Sequence, residues 1–97
     1  MKHYFLDAAR EEFLEEVNYY EKCELGLGEL FRLNVQEAVR GIGSFPNAYP
    51  LVGRNVRRCL VARFPHAVLY VQTGEGILII AVMHTRKSPG YWKKRLH

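Results

Sequence analysis

Cysteine is scarce in this 97-residue chain: Cys23 and Cys59 stand alone and form no C-x-x-C pair. That spacing argues against a disulfide framework and for reduced, partly buried thiols, so a cytoplasmic location is expected. The four histidines (His3, His66, His84, His97) are equally scattered, and no metal or other cofactor is expected. No apolar run approaches the roughly 20 residues of a membrane span. Met1-Lys2-His3 does not open a signal peptide, so no membrane partner is expected either. Internal repeats, low-complexity tracts and a dividing linker are also missing, which leaves one domain over residues 1–97. At this length a core can be built without disulfides or metals.

The second half lacks acid. Residues 54–97 hold nine Lys/Arg against Glu75 alone, a balance of +8, whereas residues 1–53 hold five Lys/Arg against nine Asp/Glu, a balance of −4. One acid among nine bases leaves little local neutralisation, so this half suits nucleic acid or an acidic protein segment.

Periodicity changes midway. Lys2–Leu6 is short and aromatic and reads as a strand. Asp7 is a suitable N-cap, and Ala9, Phe13, Val17 and Tyr20 then recur at helical spacing, which predicts a helix over Ala8–Cys23. After Gly26 and Gly28 a second stripe runs Leu27, Phe31, Val35, Ala38, Ile42, and Gly43-Ser44-Phe45-Pro46 ends it. Helices so closely joined predict an antiparallel hairpin. Strands are predicted over Val56–Arg63, Ala67–Thr73 and Ile77–Met83, the last two joined by a turn at Gly74-Glu75-Gly76. The expected fold is α+β in the order β-α-α-β-β-β, a helical hairpin packed on a mostly antiparallel four-stranded sheet.

Several blocks then take on a joint meaning: Asn18-Tyr19-Tyr20, Phe45-Pro46, Tyr49-Pro50, the run RRCLVARFPHAVLY, and the end AVMHTRKSPGYWKKR. In this order and spacing they resemble the RelE/ParE superfamily of toxins from type II toxin–antitoxin modules, and most strongly its ParE-like, plasmid-stabilisation branch. The resemblance implies a toxin held inactive by a cognate antitoxin. ParE-like members poison DNA gyrase without chemistry of their own, whereas RelE-like members cleave messenger RNA on the ribosome. A third reading, a non-toxic basic nucleic-acid-binding domain, stays open beside these two.

Ribonuclease chemistry needs a base for the ribose 2′-hydroxyl, cations for the phosphorane and an acid for the leaving oxygen. His84, Arg63, Arg86 and Tyr91 are the candidates for those roles. The lysines that RelE-like enzymes carry near the second strand are replaced here by arginine, a good phosphate ligand and a poor base. Strand alternation puts Arg57, Cys59, Val61 and Arg63 on one face, with Arg58, Leu60 and Ala62 on the other. Arg57, Arg58, Arg86, Lys87, Trp92, Lys93, Lys94 and Arg95 are expected to contact the target, gyrase or ribosome and mRNA. Trp92 has a second use as a lid on the core. Tyr19 and Tyr49 are expected to line an antitoxin groove, and Tyr20, on the apolar stripe, is assigned to the core.

Overall fold

The computed structural model describes residues 1–96; His97, the last of the four histidines, lies outside the described residues. Its elements are β1 (His3–Phe5), α1 (Asp7–Cys23), α2 (Leu27–Ser44), β2 (Arg57–Leu60), β3 (His66–Thr73), β4 (Gly76–His84) and a closing 3₁₀ turn at Lys93–Leu96. The sheet order is β1-β4-β3-β2, with β1 parallel to β4 and the other pairs antiparallel. This is the expected α+β arrangement of two helices on a four-stranded, mostly antiparallel sheet.

Strand β1 runs straight into α1. The Leu6 amide donates to the Ile79 carbonyl, and the Leu6 carbonyl accepts the Arg10 amide. Leu6 therefore occupies the N-cap position, and Asp7 falls inside the first turn, where its charge still favours the helix N-terminus. The predicted stripe of α1 faces inward: Ala9 is fully buried, and Phe13, Val17 and Tyr20 pack against the core. On α2, Phe31, Val35, Ala38, Val39 and Ile42 are buried. The helices approach closely at Gly28, where a Cβ would sit 2.5 Å from the Val17 carbonyl oxygen.

The sheet carries a core on each face. Against the helices lie Cys59, Val61, Val68, Tyr70, Ile77, Ile79 and Val82. On the other side Val56, Ala67, Leu69, Val71, Ile80, Ala81 and Trp92 form a second, smaller cluster. A bulge separates the two halves of the β3–β4 ladder: Leu69 pairs with Ala81 but Tyr70 with Ile79, so Ile80 is left over. One extra residue inverts the inward and outward sense of everything after it. Ile77 and Ile79 face the helices, and beyond the bulge Val82 and His84 do so.

Strand β2 is shorter than predicted. Val61 leaves the strand, and Arg63 adopts φ 69°, a left-handed conformation uncommon for a residue with a side chain, in the turn leading to Pro65. Arg63 therefore does not continue the face of Arg57 and Cys59. The long α2–β2 loop is pinned by polar contacts. The Tyr70 hydroxyl donates to the Pro46 carbonyl (2.6 Å), Arg57 Nη1 to the Tyr49 carbonyl (2.7 Å), and Gln72 Nε2 to Asn47 Oδ1 (2.6 Å). Burial pushes the Tyr70 hydroxyl up to about 12, so it stays a donor. Among the described residues no helix is long and apolar enough to cross a membrane.

Candidate functional site

The carboxy-terminal strap begins where β4 ends. After His84 the chain turns, passes Arg86 and Lys87, both exposed, and returns across the outer face of the sheet. Trp92 holds it there. Its side chain is 6% exposed, completes the second cluster, and packs on Gly53, where a Cβ would come within 2.9 Å of the indole. Trp92 thus acts as the lid on the core, and its burial leaves the cations beside it as the accessible part of the strap. Lys93 and Lys94 are exposed.

Glu12 of α1 fixes the other side of the strap. Its carboxylate accepts the Tyr91 hydroxyl, Arg95 Nη1 (2.7 Å) and Nη2 (3.0 Å), and the Val82 backbone amide (3.1 Å). Arg95 Nη1 also donates to the Ile80 carbonyl (2.9 Å), and its guanidinium lies 4.9 Å from the centre of the Tyr91 ring. These contacts have a structural cause. Strand β1 reaches only as far as Ile79, so the β4 edge beyond it has no neighbouring strand on that side. Glu12 and Arg95 satisfy its free amide and carbonyl, as a buried edge requires. Burial and the Glu12 hydrogen bond raise the Tyr91 hydroxyl well above its ordinary value, and the same carboxylate holds Arg95 charged.

Five of the expected target-contacting cations are accessible: Arg58 on β2, and Arg86, Lys87, Lys93 and Lys94 on the strap. Arg95 is committed to Glu12, with 19% side-chain exposure for each partner. The three arginines from the middle of the chain do not gather into one concave surface. Arg57 faces the helix side and serves the Tyr49 carbonyl, Arg58 is exposed on the opposite face beside Leu60, and Arg63 sits in the turn.

His84 faces the helix side of the sheet, away from Lys93 and Lys94. It pairs across the sheet with His66, their rings 5.2 Å apart, and its Nδ1 accepts the Arg86 amide (3.0 Å), which puts a neutral ring's proton on Nε2. It lines a pocket of about 540 Å³ with Glu12, Glu15, Glu16, Tyr19, Tyr20, Val82 and Lys87. Behind that wall lies His66, fully buried against Tyr20 and Phe31. Neither ring nitrogen of His66 has a hydrogen-bond partner, and Nε2 is 3.4 Å from Glu16 Oε1. Burial lowers the His66 pKa and outweighs the nearby carboxylate. Among the described residues no three His, Cys, Asp or Glu side chains are placed to hold a metal.

Tyr19 and Tyr49 lie at different ends of the hairpin. Val17 and Glu21, flanking Tyr19, contact α2 at Gly28, whereas the Tyr49 hydroxyl approaches Gly41. Thirteen residues of helix separate those points, roughly 20 Å at 1.5 Å per residue. Tyr20 packs with Phe31 and Phe64 as core. Glu12, Glu16 and His66 did not stand out in the sequence. Glu12 is one of several glutamates on α1, and only its long-range partners Val82, Tyr91 and Arg95 distinguish it.

Comparison with known proteins bears on the family and the fold. The family model described as "ParE toxin of type II toxin-antitoxin system, parDE" matches residues 4–89. No curated protein matches the chain by sequence. A solved structure described as "Chromosomal ParDE TA system from P. aeruginosa" is similar with a TM-score of 0.75 at 16% identity, over 87% of this chain and 95% of that one. At that identity the likeness concerns the fold.

Proposed function

The chain belongs to the ParE toxin family of type II toxin–antitoxin systems, and from that premise we propose that it arrests growth in the cytoplasm by binding DNA gyrase and is neutralised by a cognate antitoxin. The observation that carries this reading is the separation of His84, the one suitable proton carrier, from Lys93 and Lys94 on the strap, with Lys87 the one cation that lines its pocket. His84 faces Glu12, Glu15, Glu16 and His66 on the helix side, while Lys93 and Lys94 follow Trp92 across the outer face. Tyr91, the other candidate for proton transfer, has its hydroxyl bound to Glu12 and its pKa raised. A nuclease needs cations and a base around one phosphate. A surface that only binds needs cations that stay charged, and Arg86, Lys87, Lys93 and Lys94 supply them. Electrostatic complementarity of this kind raises association rates and makes them fall with salt.

Induced expression with two readouts tests the proposal: gyrase supercoiling with the DNA damage response, and mapping of messenger RNA ends. Gyrase inhibition with intact message is expected. Arg86→Ala should abolish arrest and leave antitoxin binding in place, since Arg86 is exposed beyond the strand. His84→Gln should change toxicity little. A nuclease that uses His84 would lose roughly 10²–10⁴ in rate, and that loss, together with cut message, would replace gyrase by RNA as the target. A folded Arg86→Ala protein with full toxicity would remove the strap from the binding site. Harmless expression of the chain alone, with no co-purifying partner, would overturn the toxin–antitoxin reading itself.

A further inference from the structure

The pocket between α1 and the end of β4 is acidic in a chain whose net charge is +4. Its carboxylates are not equivalent. Glu12 is occupied by Arg95, Tyr91 and the Val82 amide. Glu15 is exposed and has no ion-pair partner among the described residues, and Glu16 has no cationic partner there other than the His66 ring. His66 is no counter-charge, because burial favours its neutral form. Two carboxylates thus face the pocket against one cation at its rim, Lys87, whose ammonium leans to 5.5 Å from the centre of the Tyr91 ring.

The second observation lies behind the wall. His66 is 1% exposed, neither nitrogen has a hydrogen-bond partner, and Nε2 lies 3.4 Å from Oε1 of the pocket-lining Glu16. An unsatisfied buried polar group costs about 1–3 kcal/mol, and the 3.4 Å His66–Glu16 contact is longer than an ordinary N–H···O bond. A donor arriving from the pocket at the far oxygen of Glu16 would orient that carboxylate and let Oε1 accept the His66 N–H. The pocket is open at this point because β1 stops opposite Ile79 and no strand covers the β4 edge beyond it.

We propose that this pocket binds the guanidinium of an arginine carried by the antitoxin, held by Glu15 and Glu16 and flanked by Tyr19 and Tyr20. The identity of the partner rests on the toxin–antitoxin reading; the chemistry of the pocket does not. Arginine fits better than lysine on two counts. Its planar fork bonds carboxylates through two donors, and it stacks on aromatic faces, where an ammonium is a compact and strongly hydrated point. Tyr19 and Tyr20 are adjacent at 5.3 Å between ring centres, and Tyr19 is mostly exposed. A metal ion is a poor alternative, since no metal-binding cluster exists among the described residues. The antitoxin would then meet this toxin partly through a basic side chain, although the toxin as a whole is basic.

The test needs no antitoxin and no toxicity assay. The full chain is titrated with Nα-acetyl-arginine methylamide, and with its uncharged citrulline counterpart, while NMR signals of Tyr19, Tyr20, His84 and the His66 ring are followed. Saturable shifts with the arginine probe alone are expected, including a downfield His66 Nε2 proton as its hydrogen bond to Glu16 closes. Glu16→Gln should weaken binding roughly tenfold or more, the effect of losing a charge-assisted hydrogen bond. Glu15→Gln, at an exposed position, gives the same reading if the Glu16 variant does not fold. Equal shifts from citrulline, no saturable binding, or unchanged affinity in both folded variants would overturn the proposal. A positive titration on a harmless chain would leave the pocket standing and remove only the antitoxin.

Discussion

Replacing Glu12 by alanine removes one carboxylate and four contacts at once: the Tyr91 hydroxyl, both Arg95 nitrogens and the Val82 amide. Exposed ion pairs contribute about 0.2–1 kcal/mol, whereas breaking a fully buried one costs about 3–5. With each partner 19% exposed, this pair lies between those limits. The carboxylate's own desolvation is relieved on removal, while Arg95 and the Val82 amide lose their acceptor. A loss of about 2 kcal/mol follows, roughly a thirtyfold change in the ratio of docked to released strap. The chain has a single tryptophan, and it sits on that strap. Its fluorescence therefore reports docking directly. Urea denaturation of Glu12→Ala should show a lower midpoint, and Trp92 emission should shift to the red as its cover over Val56 and Leu69 loosens. If the strap unfolds with the rest, the melting temperature should fall by about 8–16 °C. A double-mutant cycle with Arg95→Ala should return a coupling of about 1–2 kcal/mol. Unchanged midpoint and emission in Glu12→Ala, or zero coupling in the cycle, would refute the clasp as the device that fixes the strap.

Gly28→Ala should destabilise the fold by about 1–3 kcal/mol or more, read by thermal melting, because its Cβ would meet the rigid Val17 carbonyl at 2.5 Å. His66 should make stability pH-dependent. Its folded pKa lies below the unfolded value of about 6.5, so the unfolded chain binds its proton first. Stability should hold above about pH 6.5 and decline as pH falls towards the folded value, by at most about 1.4 kcal/mol per pH unit. Urea midpoints of the wild type and His66→Phe across that window check this, and an equal slope in both proteins would rule out His66 as the source.

Legibility from sequence followed the range of the interactions. The stripes of α1 and α2 were readable because Ala9, Phe13, Val17 and Tyr20, or Phe31, Val35, Ala38 and Ile42, lie within a turn or two of one another. The β3–β4 hairpin was readable from its glycine-bounded turn. The end of β2 was not, because nothing local in Val61–Arg63 announces that Arg63 takes a left-handed conformation before Pro65. Tyr20 was placed in the core correctly, since its neighbours Phe31 and Phe64 complete an apolar stripe. The separation of Tyr19 and Tyr49 was not legible, because it is set by the length of α2 between Gly28 and Gly41 and not by the neighbours of either residue.

Composition and periodicity by themselves determined the order of elements and the acidic and basic halves, and short blocks carried the family resemblance, all of them properties of residues close in the chain. Tertiary structure alone decided which way the functional candidates point. The extra residue at Ile80 turns His84 towards the helices and their carboxylates, where an unbroken alternation would have turned it to the face that Trp92 covers. The early end of β1 leaves the β4 edge open, and that vacancy selects Glu12 from a row of similar glutamates to hold Arg95. Both outcomes follow from backbone groups that must find partners across the sheet. A bulge or an uncovered edge changes those partners without leaving any local mark in the sequence.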